Sequence, residues 1–302
     1  MLTVDLPRII VGTDAFVPYL PPLPKPVTEG LPHIVRTLEA CYTAGFRAMD
    51  FSPHEDLMRA VRIVREKYGH SVTLLGNLSW ECGVKLNGAE LQGMRNSVLA
   101  TIYQRWPSLA VRLDASPMDE TRRRWWRADA DSRALDEAEI LSIQVDEEFF
   151  RNRVMTMAEV ADALLLGADY ADWLVLLGRT DVLLRMFEIA SAVKPVFSIS
   201  HFTETTLMTL DQLPVQGHFL PYGKHTAFFA HETVKECAAQ CDHRIAGTFG
   251  LLRDRRAVEC AEMLIRFNLE AFPGSSVILG VSEPWQAWDL IRAANEALRT
   301  CT

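Results

Sequence analysis

No C-x-x-C pair occurs among the six cysteines of this 302-residue chain, which stand apart at Cys41, Cys82, Cys237, Cys241, Cys260 and Cys301. That scatter excludes the usual zinc-finger and thioredoxin-like spacings and points to free thiols. Met1 to Arg8 alternates apolar and polar residues, without the basic start and apolar run of a secretory signal. No window is long and apolar enough to span a bilayer, so a cytoplasmic location without membrane contact is expected. Positive charge is not in excess, because the formal net charge is -8. This balance argues against nucleic acid or an anionic membrane as the main partner and leaves a small-molecule substrate. The one basic run, Arg122-Arg123-Arg124-Trp125-Trp126-Arg127, has acids on both sides. A glycine-rich dinucleotide fingerprint is absent too: Gly12-Thr13-Asp14 does not supply G-x-G-x-x-G.

Strand-like and helix-like segments alternate, the pattern of a parallel sheet. Arg8–Gly12 reads as a first strand. The proline-rich stretch Val17 to Glu29 reads as a loop. A helix is expected from His33 to Ala44, stopped by Gly45, before a second strand at Phe46–Phe51. A helix at Glu55–Tyr68 and a third strand at Val72–Leu75 follow. Residues 81–165 then break the rhythm with a stretch far longer than the usual connection of roughly 4–6 residues. In it a helix is expected at Gly88–Arg105, with a solvent-facing hairpin built from Leu109–Leu113 and Ile140–Val145. Regular alternation resumes with strands at Asp172–Leu177, Pro195–Ile199, Val215–Phe219, Arg244–Phe249 and Ser276–Leu279. Helices are expected at Thr180–Ala192, Glu204–Leu210 and Glu232–Gln240. Eight strands with interleaved helices make a single (β/α)8 TIM barrel over residues 1–302, with the 81–165 insertion between strands 3 and 4.

In such a barrel the carboxyl ends of the strands carry the active site, and Asp50 ends strand two. Four strings, Gly45–Asp50, Phe197–Phe202 with Leu207, Val215–Tyr222, and Val277–Ser282 with Gln286 and Asp289, occur in the order found in the aldo-keto reductases, and the chain resembles that family over most of its length. The resemblance implies an NAD- or NADP-linked oxidoreductase acting on a small carbonyl or alcohol metabolite. It places Asp50 at the catalytic aspartate. Ser200, His201 and Gln216 would face the nicotinamide carboxamide, and Phe249 would stand where a tyrosine stacks on the ring. Gly280, Val281, Ser282 and Gln286 would lie at the phosphate end, where helix-start N–H groups favour anions. The family's other catalytic groups are replaced. The tyrosine loop reads Phe51-Ser52-Pro53-His54-Glu55-Asp56, Asn77 takes the lysine's place, and Leu177 is the residue expected in place of the histidine.

His54 is the candidate substitute proton donor, because a nearby Asp50 would set its tautomer; the bland alternative is a helix cap. Asn77, His218, Trp125 and Trp126 are candidate substrate contacts. Trp125, Trp126 and the adjacent arginines suit either a lid over a ligand or a homo-oligomer interface. No metal set is assigned. Asp50, His201 and His218 form one conceivable set, and Cys237, Cys241 and His243 form half of another. Glu283 would repel a 2′-phosphate, which favours NAD. Two further readings stand beside the oxidoreductase: a lyase, isomerase or cyclase on the same barrel, and a non-catalytic binding or regulatory protein.

Overall fold

The computed structural model describes residues 4–17, 30–116, 120–223, 230–251, 258 and 260–301. Most of the proline-rich stretch, residues 18–29, lies outside them. Eight parallel strands close into a barrel. In chain order they are β1 (Ile9–Gly12), β2 (Ala48–Phe51), β3 (Thr73–Leu78), β7 (Ala163–Gly167), β8 (Val196–Ile199), β9 (His218–Pro221), β10 (Ile245–Leu251) and β11 (Ser276–Gly280). Closure comes from β1 pairing with β11 in the register Ile9↔Val277. A second sheet, separate from the barrel, has three short strands in the order β5 (Ala89–Glu90), β4 (Val84–Leu86), β6 (Gln144–Val145).

Side chains alternate across each strand, which gives the barrel two cores. Ile10, Ala48, Leu75, Ala163, Leu165, Phe197, Ile199, Phe219, Ala246 and Ile278 fill the interior, with Val4 and Leu6 packed beneath them. The outward set, including Val11, Met49, Leu74, Leu166, Val196 and Leu279, packs under the helices. Phe197 and Phe219 meet edge to face at 5.8 Å inside the barrel. Gly247 makes room for them, because a Cβ there would lie 2.3 Å from the Phe219 ring.

The outer helices follow sequence signals. Helix α2 (Glu55–Tyr68) carries Glu55 and Asp56 in its first turn and Arg65 and Lys67 in its last, matching the helix dipole. Helix α1 (Gly30–Ala44) buries Ile34, Leu38 and Cys41, and Gly45 follows it at φ +124.

Several expectations are corrected. Leu109–Leu113 is not a strand but part of helix α4 (Pro107–Ala115). Leu109 and Leu113, one turn apart, are buried, while Val111 between them is exposed. Proline at the first helical position starts that helix without losing a hydrogen bond. Ile140–Val145 splits into helix α6 (Glu137–Leu141), capped by Asp136, and the two-residue β6. The hairpin is therefore a three-stranded sheet with helices. Helix α3 (Arg95–Arg105) begins later than Gly88, because β5 and a turn of 3-10 helix come first.

The largest correction concerns the fourth barrel strand. Asp172–Leu177 lies in helix α8 (Asp169–Leu176) and its C-cap, and the strand is Ala163–Gly167. Both are short apolar runs, and periodicity alone cannot separate a buried strand from a buried helix. The excursion between β3 and β7 also holds α5 (Glu120–Trp125) and α7 (Glu147–Ala158). The remaining helices are α9 (Thr180–Ser191), α10 (Thr203–Leu210), α11 (His231–Ala238), α12 (Ala261–Ala271) and α13 (Pro284–Thr300).

Candidate active site

Asp50 continues the inward-facing side of β2 above Ala48, and it is buried. Its Oδ1 accepts the Thr13 N–H at 2.8 Å, and the Thr13 hydroxyl donates to the Asp50 carbonyl at 3.1 Å. Asp50 thereby ties the end of β2 to the loop after β1. His54 is the N-cap residue of α2 and uses its carbonyl, which accepts from Met58 N at 2.8 Å. Asn77 lies two residues beyond the inward-facing Leu75 on β3 and accepts the Ser79 hydroxyl.

Strand four ends at Gly167, so Gly167, and not Leu177, occupies the strand end where the resemblance places a histidine. No side chain fits there. The backbone sits at φ +125, and a Cβ would lie 2.6 Å from the Ile199 carbonyl oxygen. Leu177 is the C-cap residue of α8.

Asp169 and Asp172 open α8, both buried. His201, following β8, places Nδ1 3.3 Å from Asp172 Oδ2 and 3.6 Å from Asp169 Oδ1. Asp172 is wholly committed: it accepts His201 N at 2.7 Å, Phe202 N at 3.1 Å and the Thr206 hydroxyl at 3.0 Å. Burial pushes the Asp169 carboxyl up to about 6, a rise that the neighbouring His201 opposes and Asp172 reinforces. A carboxyl with that value exchanges protons near neutral pH.

Aromatic groups close over this cluster. Trp126 lies 4.9 Å from the His201 ring and 5.0 Å from Phe202, and Phe249 meets His201 edge-on at 5.5 Å. Trp125 stacks under Arg95, 4.6 Å from its guanidinium carbon, and lies 6.0 Å from Trp80. Arg95 and Tyr103, both on α3, hold the carbonyls of Trp125 and Trp126. The insertion thus covers the barrel mouth with Trp126 buried inside the chain itself. Two buried hydroxyls near the strand ends, Ser52 Oγ and Ser200 Oγ, have no hydrogen-bond partner among the described residues. Such groups fit a ligand's polar atoms.

Gln216 and His218 lie elsewhere. Gln216 precedes β9 and accepts Val4 N at 3.3 Å, at the barrel floor. His218 faces outward from β9 and bonds Ser198 and Asp211. The set Asp50, His201 and His218 is therefore divided between the mouth and the outer wall, and His218 is not a mouth residue. At the phosphate end, Val281 N donates to Gly12 O at 3.1 Å, and Gly280 pairs with Gly12. Gln286 Oε1 accepts Ser282 N at 2.8 Å and Glu283 N at 3.0 Å, within a capping box completed by the Glu283 side chain.

Asp169, Asp172 and Arg95 escaped the sequence reading. The signal for Asp169 was a short apolar run, Ala163–Leu166, followed by Gly167-Ala168 and then the acid; the string that singled out Asp50 also ends a short apolar run in an acid, with its glycine before the run.

A closed parallel barrel with acid–base groups at its C-terminal mouth is the architecture on which (β/α)8 enzymes build their sites. The fold here is that of the aldo-keto reductases. An aldo-keto reductase from Bacillus halodurans, solved in a holo form, aligns with TM-score 0.55 at 9% identity, over 98% of this chain and 92% of that one. A thermostable aldo-keto reductase in complex with the inhibitor epalrestat aligns with TM-score 0.54 at 8% identity, over 98% and 94%. A third, from a Medee basin deep-sea metagenome library, aligns with TM-score 0.50 at 11% identity, over 98% and 91%. No protein-family model and no curated protein sequence matches the chain.

Proposed function

We infer that the chain is a divergent oxidoreductase on the aldo-keto reductase fold, acting on a small carbonyl or alcohol metabolite with His201 and Asp169 as its proton-transfer pair. The observation that carries this reading is the placement of His201: beside two buried carboxylates, under Trp126 and against Phe249, at the mouth of the barrel. Asp172 fixes the backbone that presents His201. Asp169, whose carboxyl burial raises to about 6, stands 3.6 Å from the imidazole, and a positioned donor of this kind accounts for roughly 10²–10⁴-fold in rate. Trp126 excludes water. Asp50, at the end of strand two, and His54, at the start of the helix that follows, are the alternative proton-transfer residues.

A nicotinamide cofactor would supply the hydride when bound. The ring end suits it, with the Phe249 ring and the unpartnered Ser200 hydroxyl at the mouth. The phosphate end offers the start of α13, with Gly280, Val281, Ser282 and Gln286, and Glu283 there favours NAD over NADP.

A second reading, a lyase or isomerase using the same acid–base pair without hydride transfer, is favoured by Gln286. Its side chain already satisfies two of the N–H groups a phosphate would take.

Titration with NADH and NADPH, followed by tryptophan fluorescence, separates the two. Saturable quenching below millimolar concentration supports the oxidoreductase; no binding of either selects the second reading. Asp169→Asn and His201→Gln should abolish turnover under both. Asp50→Asn and His54→Ala should reduce it less; the reverse order would transfer the proton-donor role to that pair.

A further inference from the structure

On the outer wall of the barrel, at the end opposite the mouth, three potential metal ligands converge. Asp211 follows α10, His218 opens β9, and His243 lies in the connection from α11 to β10. Their nearest ligand atoms all lie within 4.8 Å of one another. A single oxygen, Asp211 Oδ1, takes His218 Nε2 at 2.8 Å, His243 Nδ1 at 2.9 Å and the His243 backbone N–H at 3.0 Å. The other oxygen accepts Asp242 N at 2.6 Å, which fixes the carboxylate plane.

We propose that Asp211, His218 and His243 form a structural site for a divalent transition-metal ion, with zinc the best match. Two imidazoles and a carboxylate are a recurrent zinc donor set. In a tetrahedral site, with metal–ligand distances of about 2.0–2.1 Å, the donor atoms stand roughly 3.3 Å from one another. The two ring nitrogens lie 2.8 and 2.9 Å from Oδ1, a few tenths of an ångström short of that separation, and all three donors are within 4.8 Å of one another, so a small adjustment of the side chains brings them to tetrahedral spacing. His218 needs only a tautomer change. Its Nδ1 lies 2.7 Å from Ser198 Oγ, a hydroxyl that donates to Nδ1 now and accepts from it once Nε2 is on the metal. A hydrogen-bonded second partner of this kind is what orients metal-bound imidazoles. The two rings stand nearly perpendicular, at 87°. His218 is fully buried while His243 is half-exposed, so the ion has a route in from solvent. Cys241, two residues before His243, is the nearest thiol in sequence for the fourth position, with water the alternative.

The ion would join the α10–β9 and α11–β10 connections on the face of the barrel that serves stability. Catalysis at the mouth does not depend on it. The test is to strip the full-length protein with EDTA, add zinc chloride, and measure bound zinc by mass spectrometry alongside thermal melting. One equivalent bound with a raised melting temperature is expected. His243→Ala, at a half-exposed position, should fold and lose at least tenfold in zinc affinity. Ser198→Ala should weaken binding by about tenfold. Zinc binding unchanged in His243→Ala, or no thermal shift with zinc in the wild-type chain, would overturn the proposal. So would zinc that leaves only when Cys237 and Cys241 are changed to serine.

Discussion

Asp172 accepts the backbone N–H of His201 at 2.7 Å, so a carboxylate from the helix after strand four holds the second residue after strand five. Two adjacent barrel units are locked together at the place where the candidate proton donor emerges. Asp172 is fully buried and takes two further donors, Phe202 N and Thr206 Oγ1. Asp172→Ala strands all three. At about 1–3 kcal/mol for a buried donor left without a partner, the variant should lose about 3 kcal/mol or more in urea unfolding. Asp172→Asn, which keeps one acceptor oxygen, should lose less.

Asp169 should give stability a pH dependence of opposite sign to that of an ion-paired acid. Burial raises its carboxyl from 3.8 to about 6. Between those values the native state binds a proton that the unfolded chain does not, so stability falls as pH rises through the window and levels off above it. The full effect is about 3 kcal/mol. Asp169→Asn should flatten that slope and stabilise the protein at pH 7. A slope that survives the substitution would assign the effect to another group.

Trp126→Ala should lose about 3–5 kcal/mol, the range for emptying a large buried aromatic position. It should also unroof His201. Loss of ligand binding in a variant that still melts cooperatively supports the lid role; unchanged binding argues against it.

Gly167→Ala should be poorly tolerated, costing about 2 kcal/mol or more, because the left-handed backbone and the Ile199 carbonyl both exclude a Cβ. By the same reasoning a histidine at this position, Gly167→His, should not be accommodated. Soluble, cooperatively folded Gly167→His would contradict the close packing of β7 on β8.

Glu283→Lys should raise NADPH affinity relative to NADH by about tenfold if the dinucleotide lies along the start of α13, since it exchanges a repelling charge for an attracting one. An unchanged ratio would place the 2′-phosphate elsewhere.

The barrel was legible because its signals are local. Alternating elements, the Gly45 stop and the polar ends of α2 all read from neighbouring residues. Asp50 at a strand end and the insertion after strand three followed from the same signals. The misreadings fell where two structures share one pattern. Ala163–Leu166 and Trp173–Leu177 are both short apolar runs, and only packing on β3 and β8 makes the first a strand and the second the end of a helix. Leu109 and Leu113 fit either alternation or a helical turn, and burial of both against the core decides for the helix.

Sequence alone determined that this chain closes a barrel, since that follows from the order of elements along the chain. Tertiary structure alone decided which polar groups meet. His201 and Asp172 are 29 residues apart, and His218 turns outward to Asp211 while its neighbour Phe219 turns into the barrel. Side-chain partnership depends on strand register and on which face of the pleat a residue takes, and a shift of one residue reverses it.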